Sequence, residues 1–377
     1  MKDKITVLSV FGTRPEAYKM IPLILKMQEN PKINSLVCIT AQHRELVDQA
    51  LELFNIKPDY DLDIMTIGQT LTEITTKVLI GLPKVFEEAK PDIVLVHGDT
   101  TTTFAASLAA FYAKIKIGHV EAGLRTYDKY SPYPEEMNRK LTTAMADLYF
   151  APTKLSKENL LKEGIDEKLI FVTGNTSIDL IKYTTKENCK FKNDDLNSLD
   201  FSKKIILLTA HRGENRGVGM ENICKAALRL VKENPDFTLV WPLHPAKTVT
   251  EPANKFLAGQ ERILLTTALD IFDVHNLLKK TYLVLTDSAG LQEESPSFDL
   301  PTVVLREVTE RPEGEEAGTL VLAGTNEEKI IKEATKLIND KAEYKKMAKA
   351  KNPFGDGFAS ERIIEAILGT ESPPTTK

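Results

Sequence analysis

The chain has 377 residues, 42% hydrophobic and 27% charged, with a formal net charge of -5. That is enough for two hydrophobic cores, and the negative balance excludes an overall nucleic-acid footprint while allowing a local basic cluster for a small anion. Cys38, Cys189 and Cys224 stand far apart with no CxxC, so neither a disulfide framework nor a structural zinc site is expected, and a reducing, cytoplasmic setting is the simplest reading.

The predicted elements alternate from end to end. Residues 5–10 form a β-branched run that breaks at Gly12 without a small-residue cleavage site, which makes it a buried strand rather than a signal peptide. Gly12 then suits a tight turn, Thr13 a cap and Pro15 the first turn of a helix whose Ala17, Met20, Ile21, Ile24 and Met27 share one face. Arg14, beside the exposed amides of that helix start and with Lys19 one turn on, gives an anion site. GxGxxG is absent there, so nothing supports a dinucleotide. Residues 36–40 and 93–97 are the next strands. The second of these runs into His97-Gly98-Asp99 and four threonines, more than a helix cap needs, which points to ligand contact. Strand 117–120 ends on Glu121, and Glu135 opens a helix after the loop Pro132-Tyr133-Pro134. Strands 148–150 and 170–172 close the first series.

Residues 184–196 are almost free of large apolar side chains, so 184–204 reads as a linker. A second series follows at 205–209, 239–241, 283–285 and 303–305. Alternation of this kind implies α/β architecture: two Rossmann-like parallel-sheet domains, here 1–183 and 205–357, with 358–377 as a terminal helix and tail able to cross back to the first. Two such domains leave a central cleft at the carboxyl ends of their strands, where open α/β folds bind ligands. The tail from Glu371 to Lys377 is biased in composition and reads as disordered. No stretch approaches the roughly 20 apolar residues of a membrane span, so a soluble chain is expected.

Taken singly, Asp99, Glu121 and Glu135 are each explained by a cap or a surface charge. Three carboxylates gathered at strand ends are not, and such clusters raise the pKa of a member as acid/base work requires. In the second half Ala210-His211-Arg212-Gly213-Glu214-Asn215 follows a strand, and Asp287-Ser288-Ala289-Gly290 opens a helix with small residues suited to a pyrophosphate. Arg306 and Arg311 add charge. His211 alone is more often structural, but its pairing with the Ser288 to Gly290 loop favours function.

Together GTRPEA with Lys19, HGDTTTT, HVEAGLRT, YPEEMNR, GNTSID, AHRGEN, DSAGLQEE and LREVTERPEGEEAG closely resemble, in that order and over nearly the whole chain, the bacterial non-hydrolysing UDP-N-acetylglucosamine 2-epimerases. The resemblance implies a glycosyltransferase-B type fold, a homodimer, and no added redox cofactor or metal. It implies Asp99, Glu121, Glu135 and His211 as catalytic residues, the first three as a carboxylate set and His211 in contact with the nucleotide-sugar. It implies Arg14 and Lys19 near the sugar-diphosphate, and Ser288, Ala289 and Gly290 at the diphosphate, with Ser288 and Gly290 acting through backbone amides. Glu294 is implied at the ribose and Arg311 at the nucleotide-sugar. It further implies a second-nucleotide activator site to which Gln42, His43, Glu135, Arg212 and His244 correspond. The chain departs from the family pattern at Ala289 (usually Gly), Gly213 (usually Arg), Val274 (often aromatic, with Phe272 close by), and Glu45 and Gly68 (commonly Gln and Arg).

The implied chemistry converts UDP-N-acetylglucosamine to UDP-N-acetylmannosamine through 2-acetamidoglucal, for cell-surface polysaccharide synthesis. The nearest alternative is a hydrolysing epimerase that releases N-acetylmannosamine and UDP. A glycosyltransferase and a non-catalytic UDP-sugar sensor are more distant.

Overall fold

The computed structural model describes residues 4–369, so the tail from Glu371 lies outside the described residues. The β-branched runs form two parallel sheets. The first comprises β1 (Ile5–Phe11), β2 (Ile33–Ile39), β3 (Tyr60–Asp61), β4 (Ile93–His97), β5 (Lys116–Val120), β6 (Leu148–Ala151) and β7 (Ile170–Val172), in the order β3-β2-β1-β4-β5-β6-β7. The second comprises β8 (Lys204–Thr209), β9 (Phe237–Pro242), β10 (Ile263–Thr266), β11 (Thr281–Thr286), β12 (Thr302–Val304) and β13 (Leu320–Leu322), in the order β10-β9-β8-β11-β12-β13. Every residue of β4 is buried, as expected of a parallel strand covered by helices on both faces. Trp241 anchors the largest core cluster of the second sheet.

Strand order reverses between β1 and β4 in the first sheet and between β8 and β11 in the second, so the loops leaving these strands diverge to opposite faces. These loops carry Gly12, Gly98, His211 and Ser288. Gly12 is required by close approach: a Cβ there would stand 2.1 Å from Thr40 Oγ1 and 2.7 Å from Thr102 Oγ1.

Among the described residues the chain divides into two compact units, residues up to 180 with those from 355 onward, and residues 181–354. The stretch 184–204, read above as a linker, belongs to the second unit and is docked within it. Phe191 and Leu196 are buried in that unit's core. The Lys192 and Asn193 amides donate to the two carboxylate oxygens of Asp273 at 2.9 Å each, and Asn276 Nδ2 donates to Thr184 O at 2.8 Å. The helix Ala359–Gly369 belongs to the first unit, where the amides of Ala359 and Ser360 donate to Asp179 at 3.0 and 2.6 Å. Among the described residues no helix is long and apolar enough to cross a membrane.

Candidate active site

In the first unit the loops after β1, β4 and β5 are tied to one another by buried polar groups. Glu16, in the first turn of the helix Arg14–Glu29, accepts from the Gly12 and Thr13 amides at 3.1 and 2.8 Å and from the Thr100 and Thr103 hydroxyls at 2.8 and 3.1 Å. Burial pushes its carboxyl above the usual range. The threonine run is spent on such internal bonds: Thr103 Oγ1 also stands 2.5 Å from His97 O, its one hydrogen shared between that carbonyl and Glu16, and Thr102 donates to Gln42 Oε1 at 3.0 Å. Thr100 caps its helix. The surplus over a cap thus stitches the loops together.

Glu121 follows β5 with φ 63°, a left-handed conformation that costs a non-glycine residue about 1–2 kcal/mol. Such strain is retained where the surroundings fix a side chain for a purpose. Here Glu121 Oε1 is held by the Lys19 ammonium and by Asn175 Nδ2 at 2.9 Å, while its Oε2 lies 3.9 Å from His97 Nε2. His97 and His119 are both fully enclosed, and burial lowers their pKa values to about 4 and about 3. His119 Nε2–H donates to Gly98 O at 2.7 Å, since a carbonyl can only accept. Asp99 is paired with Arg139 at 2.5 Å, and Asn138 Nδ2 donates to the Asp99 carbonyl at 2.9 Å. Arg139 also reaches Glu136 at 3.4 Å, whose carboxylate accepts from the Thr126 and Tyr127 amides. Glu135 Oε2 is buried without a hydrogen-bond partner among the described residues. Arg14 is exposed. His43 is exposed as a whole at the start of the helix Arg44–Glu52; partial desolvation of its ring by neighbouring atoms, then the Arg14 charge, lowers its pKa.

In the second unit a cavity of about 310 Å³ is lined by, among others, His211, His244, Val274, Ser288, Gly290 and Glu294. Buried Asp287 organises its rim. Its Oδ2 accepts from the His211 and Arg212 amides at 2.7 and 2.8 Å, and His211 Nδ1 lies 3.3 Å from its Oδ1. The His211 and His244 rings stack at 5.6 Å. Glu294 is held by His275 at 3.4 Å, and His275 in turn by the Thr184 hydroxyl at 2.5 Å. Arg311 is buried against Glu293. The Ser288 amide donates to Thr286 Oγ1 at 2.9 Å, so it is already engaged inside the protein. The first-turn amides of Ala289 and Gly290 lack intrahelical acceptors by helix geometry, and Ala289 is not among the residues with positive φ, so alanine is unstrained there. Phe272 sits under Lys192 at 5.3 Å, while Val274 faces the cavity.

Lys19 and Glu121 thus meet in one cluster of the first unit, while Asp99 sits in a neighbouring one with Arg139. His211, His244, Ser288, Gly290 and Glu294 share the cavity of the second unit, whereas Ala289, Arg212 and Arg311 do not line it. Glu16, Asn175, Asp287 and His275 hold the expected residues, a supporting role that the motifs containing the first three did not disclose. Only Glu16 carried a signal, the Thr13-x-x-Glu16 spacing of a capping box.

A family model described as UDP-N-acetylglucosamine 2-epimerase matches residues 25–368. The chain belongs to the UDP-N-acetylglucosamine 2-epimerase family. The UDP-N-acetylglucosamine 2-epimerase of Bacillus subtilis is 54% identical over 365 residues, covering 97% of this chain and 95% of that relative. The crystal structure of the Neisseria meningitidis UDP-GlcNAc 2-epimerase bound to UDP-GlcNAc is similar, with a TM-score of 0.87 at 47% identity, covering 97% of this chain and 100% of that one. A glycosyltransferase of kitacinnamycin, 9% identical, shares the fold alone, with a TM-score of 0.65 over 98% of both chains. The two sheets of this epimerase family member are therefore of glycosyltransferase-B type.

Proposed function

We propose that the chain interconverts UDP-N-acetylglucosamine and UDP-N-acetylmannosamine without releasing the sugar, supplying cell-surface polysaccharide synthesis in the cytoplasm. The observation that carries the proposal is Glu121. It is a strained, buried carboxylate at a strand end, held by Lys19 and Asn175 inside an epimerase-family chain. In this reading Glu121, Asp99 and Glu135 handle the proton at carbon 2, and His211, the Ala289 and Gly290 amides, Glu294 and Arg311 serve the nucleotide. Arg14 and Lys19 serve the diphosphate. Breaking the carbon 1–oxygen bond releases UDP as the carbon 2–hydrogen pair becomes the double bond of 2-acetamidoglucal. UDP then adds back and a proton returns to the opposite face. A homodimer is part of the proposal. Exposed Phe111 and Tyr112, the latter at a cavity of about 510 Å³ with Pro83 and Phe86, offer an apolar face for it.

Purified protein incubated with UDP-N-acetylglucosamine alone tests the reading. The expected product is the UDP-sugar epimer, carrying deuterium at carbon 2 when the solvent is deuterium oxide. Release of free N-acetylmannosamine would replace the proposal with hydrolytic epimerisation, and no turnover would overturn both.

A further inference from the structure

We propose that His97 is a positioning residue for Glu121, a neutral imidazole whose Nε2 accepts a hydrogen bond from the Glu121 carboxyl group once that group has taken the carbon 2 proton. The inference rests on the function proposed above and says which carboxylate receives the proton. His97 ends β4, is buried, and its Nε2 has no hydrogen-bond partner among the described residues while lying 3.9 Å from Glu121 Oε2. That spacing is too long for a hydrogen bond and is what two facing acceptors adopt, a carboxylate oxygen and a lone-pair nitrogen. With no acceptor within hydrogen-bond reach of Nε2, we place the proton on Nδ1 and the lone pair on Nε2.

The charges around the pair keep it in this state. Lys19 from the helix Arg14–Glu29, Asp99 beyond β4, and His119 from β5 with Arg125 near it are the ionisable groups that face it. Lys19 and Asp99 act on the ring in opposite senses, and desolvation decides for the neutral form. An imidazolium here would hold Glu121 ionised and make it a poor proton acceptor. The neutral ring gains a bond only when Glu121 is protonated. The proton leaves carbon 2 for Glu121 Oε2, the electron pair forms the carbon 1–carbon 2 double bond as UDP departs, and the carboxyl hydrogen points at His97 Nε2 without transfer. Asp99 is placed differently, paired with Arg139 at 2.5 Å.

Two variants and one measurement on the unaltered protein test this. His97→Phe keeps the bulk and removes the acceptor, whereas His97→Gln keeps an acceptor where Nε2 stands. His97→Phe is expected to lower kcat at least ~10-fold, with KM changed less than about threefold, and to move the acid limb of the kcat profile to lower pH; His97→Gln recovers most of both. A folded His97→Phe protein with wild-type kcat and acid limb overturns the inference, provided the unaltered enzyme turns over. An inactive unaltered enzyme overturns the underlying function instead. Should His97→Phe not fold, nitrogen-15 NMR of the unaltered protein decides: a neutral ring with unprotonated Nε2 from pH 5 to 8 is expected, and a protonated Nε2 overturns the inference.

Discussion

Buried ionisable residues leave measurable traces at the scale of single side chains. Asp99→Asn, Glu121→Gln and Glu135→Gln are each expected to lower kcat at least ~10²-fold, the usual contribution of a general acid or base. Any one that keeps near wild-type kcat in steady-state assays is a structural carboxylate. His97 and His119 report on stability. Their folded pKa values lie near 4 and 3, below the free value of about 6.5, so the unfolded chain binds protons that the folded chain refuses. Stability is therefore complete above pH 6.5 and is lost as pH falls, by on the order of 2 kcal/mol per histidine between pH 6.5 and 5. Urea denaturation across that window should show the loss, and His119→Leu should lessen its pH dependence. A flat profile contradicts it. The activator site implied by the family pattern can also be judged residue by residue. Gly68 has φ 75° with nothing near its would-be Cβ, so the guanidinium common at that position is missing and the backbone there resists a replacement. With Glu45 and Gly213 as further departures, and ~1.5–3 kcal/mol for each lost charged bond to phosphate, activation by UDP-N-acetylglucosamine is expected to be weak or absent. A long lag in the reverse reaction, removed by a trace of UDP-N-acetylglucosamine, contradicts this.

At the scale of elements, the central strands were legible because unbroken β-branched runs of five or more residues have few other uses. The peripheral ones were not. Tyr60–Asp61 is two residues long and takes its extended shape from pairing with Cys38 and Ile39, a contact invisible along the sequence. Leu320–Leu322 lies at an edge, and Ile263–Thr266 also holds the outer position of its sheet, so neither needs a strong pattern of its own. The stretch 184–204 misled for a related reason. Its backbone amides donate to the Asp273 and Asn276 side chains on the helix Ile271–Leu278, and composition does not distinguish a docked polar segment from a loose one. In the candidate site the residues at strand ends could be read, since topology predicts where they gather. The groups that hold them, Asn175 and Asp287, are reached only through folding. Asp179 is another such group. Because it caps the helix Ala359–Gly369, Asp179→Ala is expected to cost about 1–3 kcal/mol in chemical denaturation, and a change under a few tenths would deny it that role.

Across the whole molecule, the first unit owns two separated pieces of sequence. Ile363 is fully buried in it, and the helix that carries Ile363 packs against Arg14–Glu29. Ile363→Ala should therefore cost about 2–5 kcal/mol, read from the first unfolding transition if the units melt separately. The same arrangement makes the two units unequal as folding problems. Residues 181–354 form one uninterrupted unit and need nothing from beyond residue 354. The first unit, although synthesised first, must wait for the last segment to emerge before its sheet is fully covered. Until then, the surface of Arg14–Glu29 awaiting that helix is open to chaperones. A released chain truncated before residue 359 should accordingly present a protease-resistant second unit beside a first unit that is still cleavable.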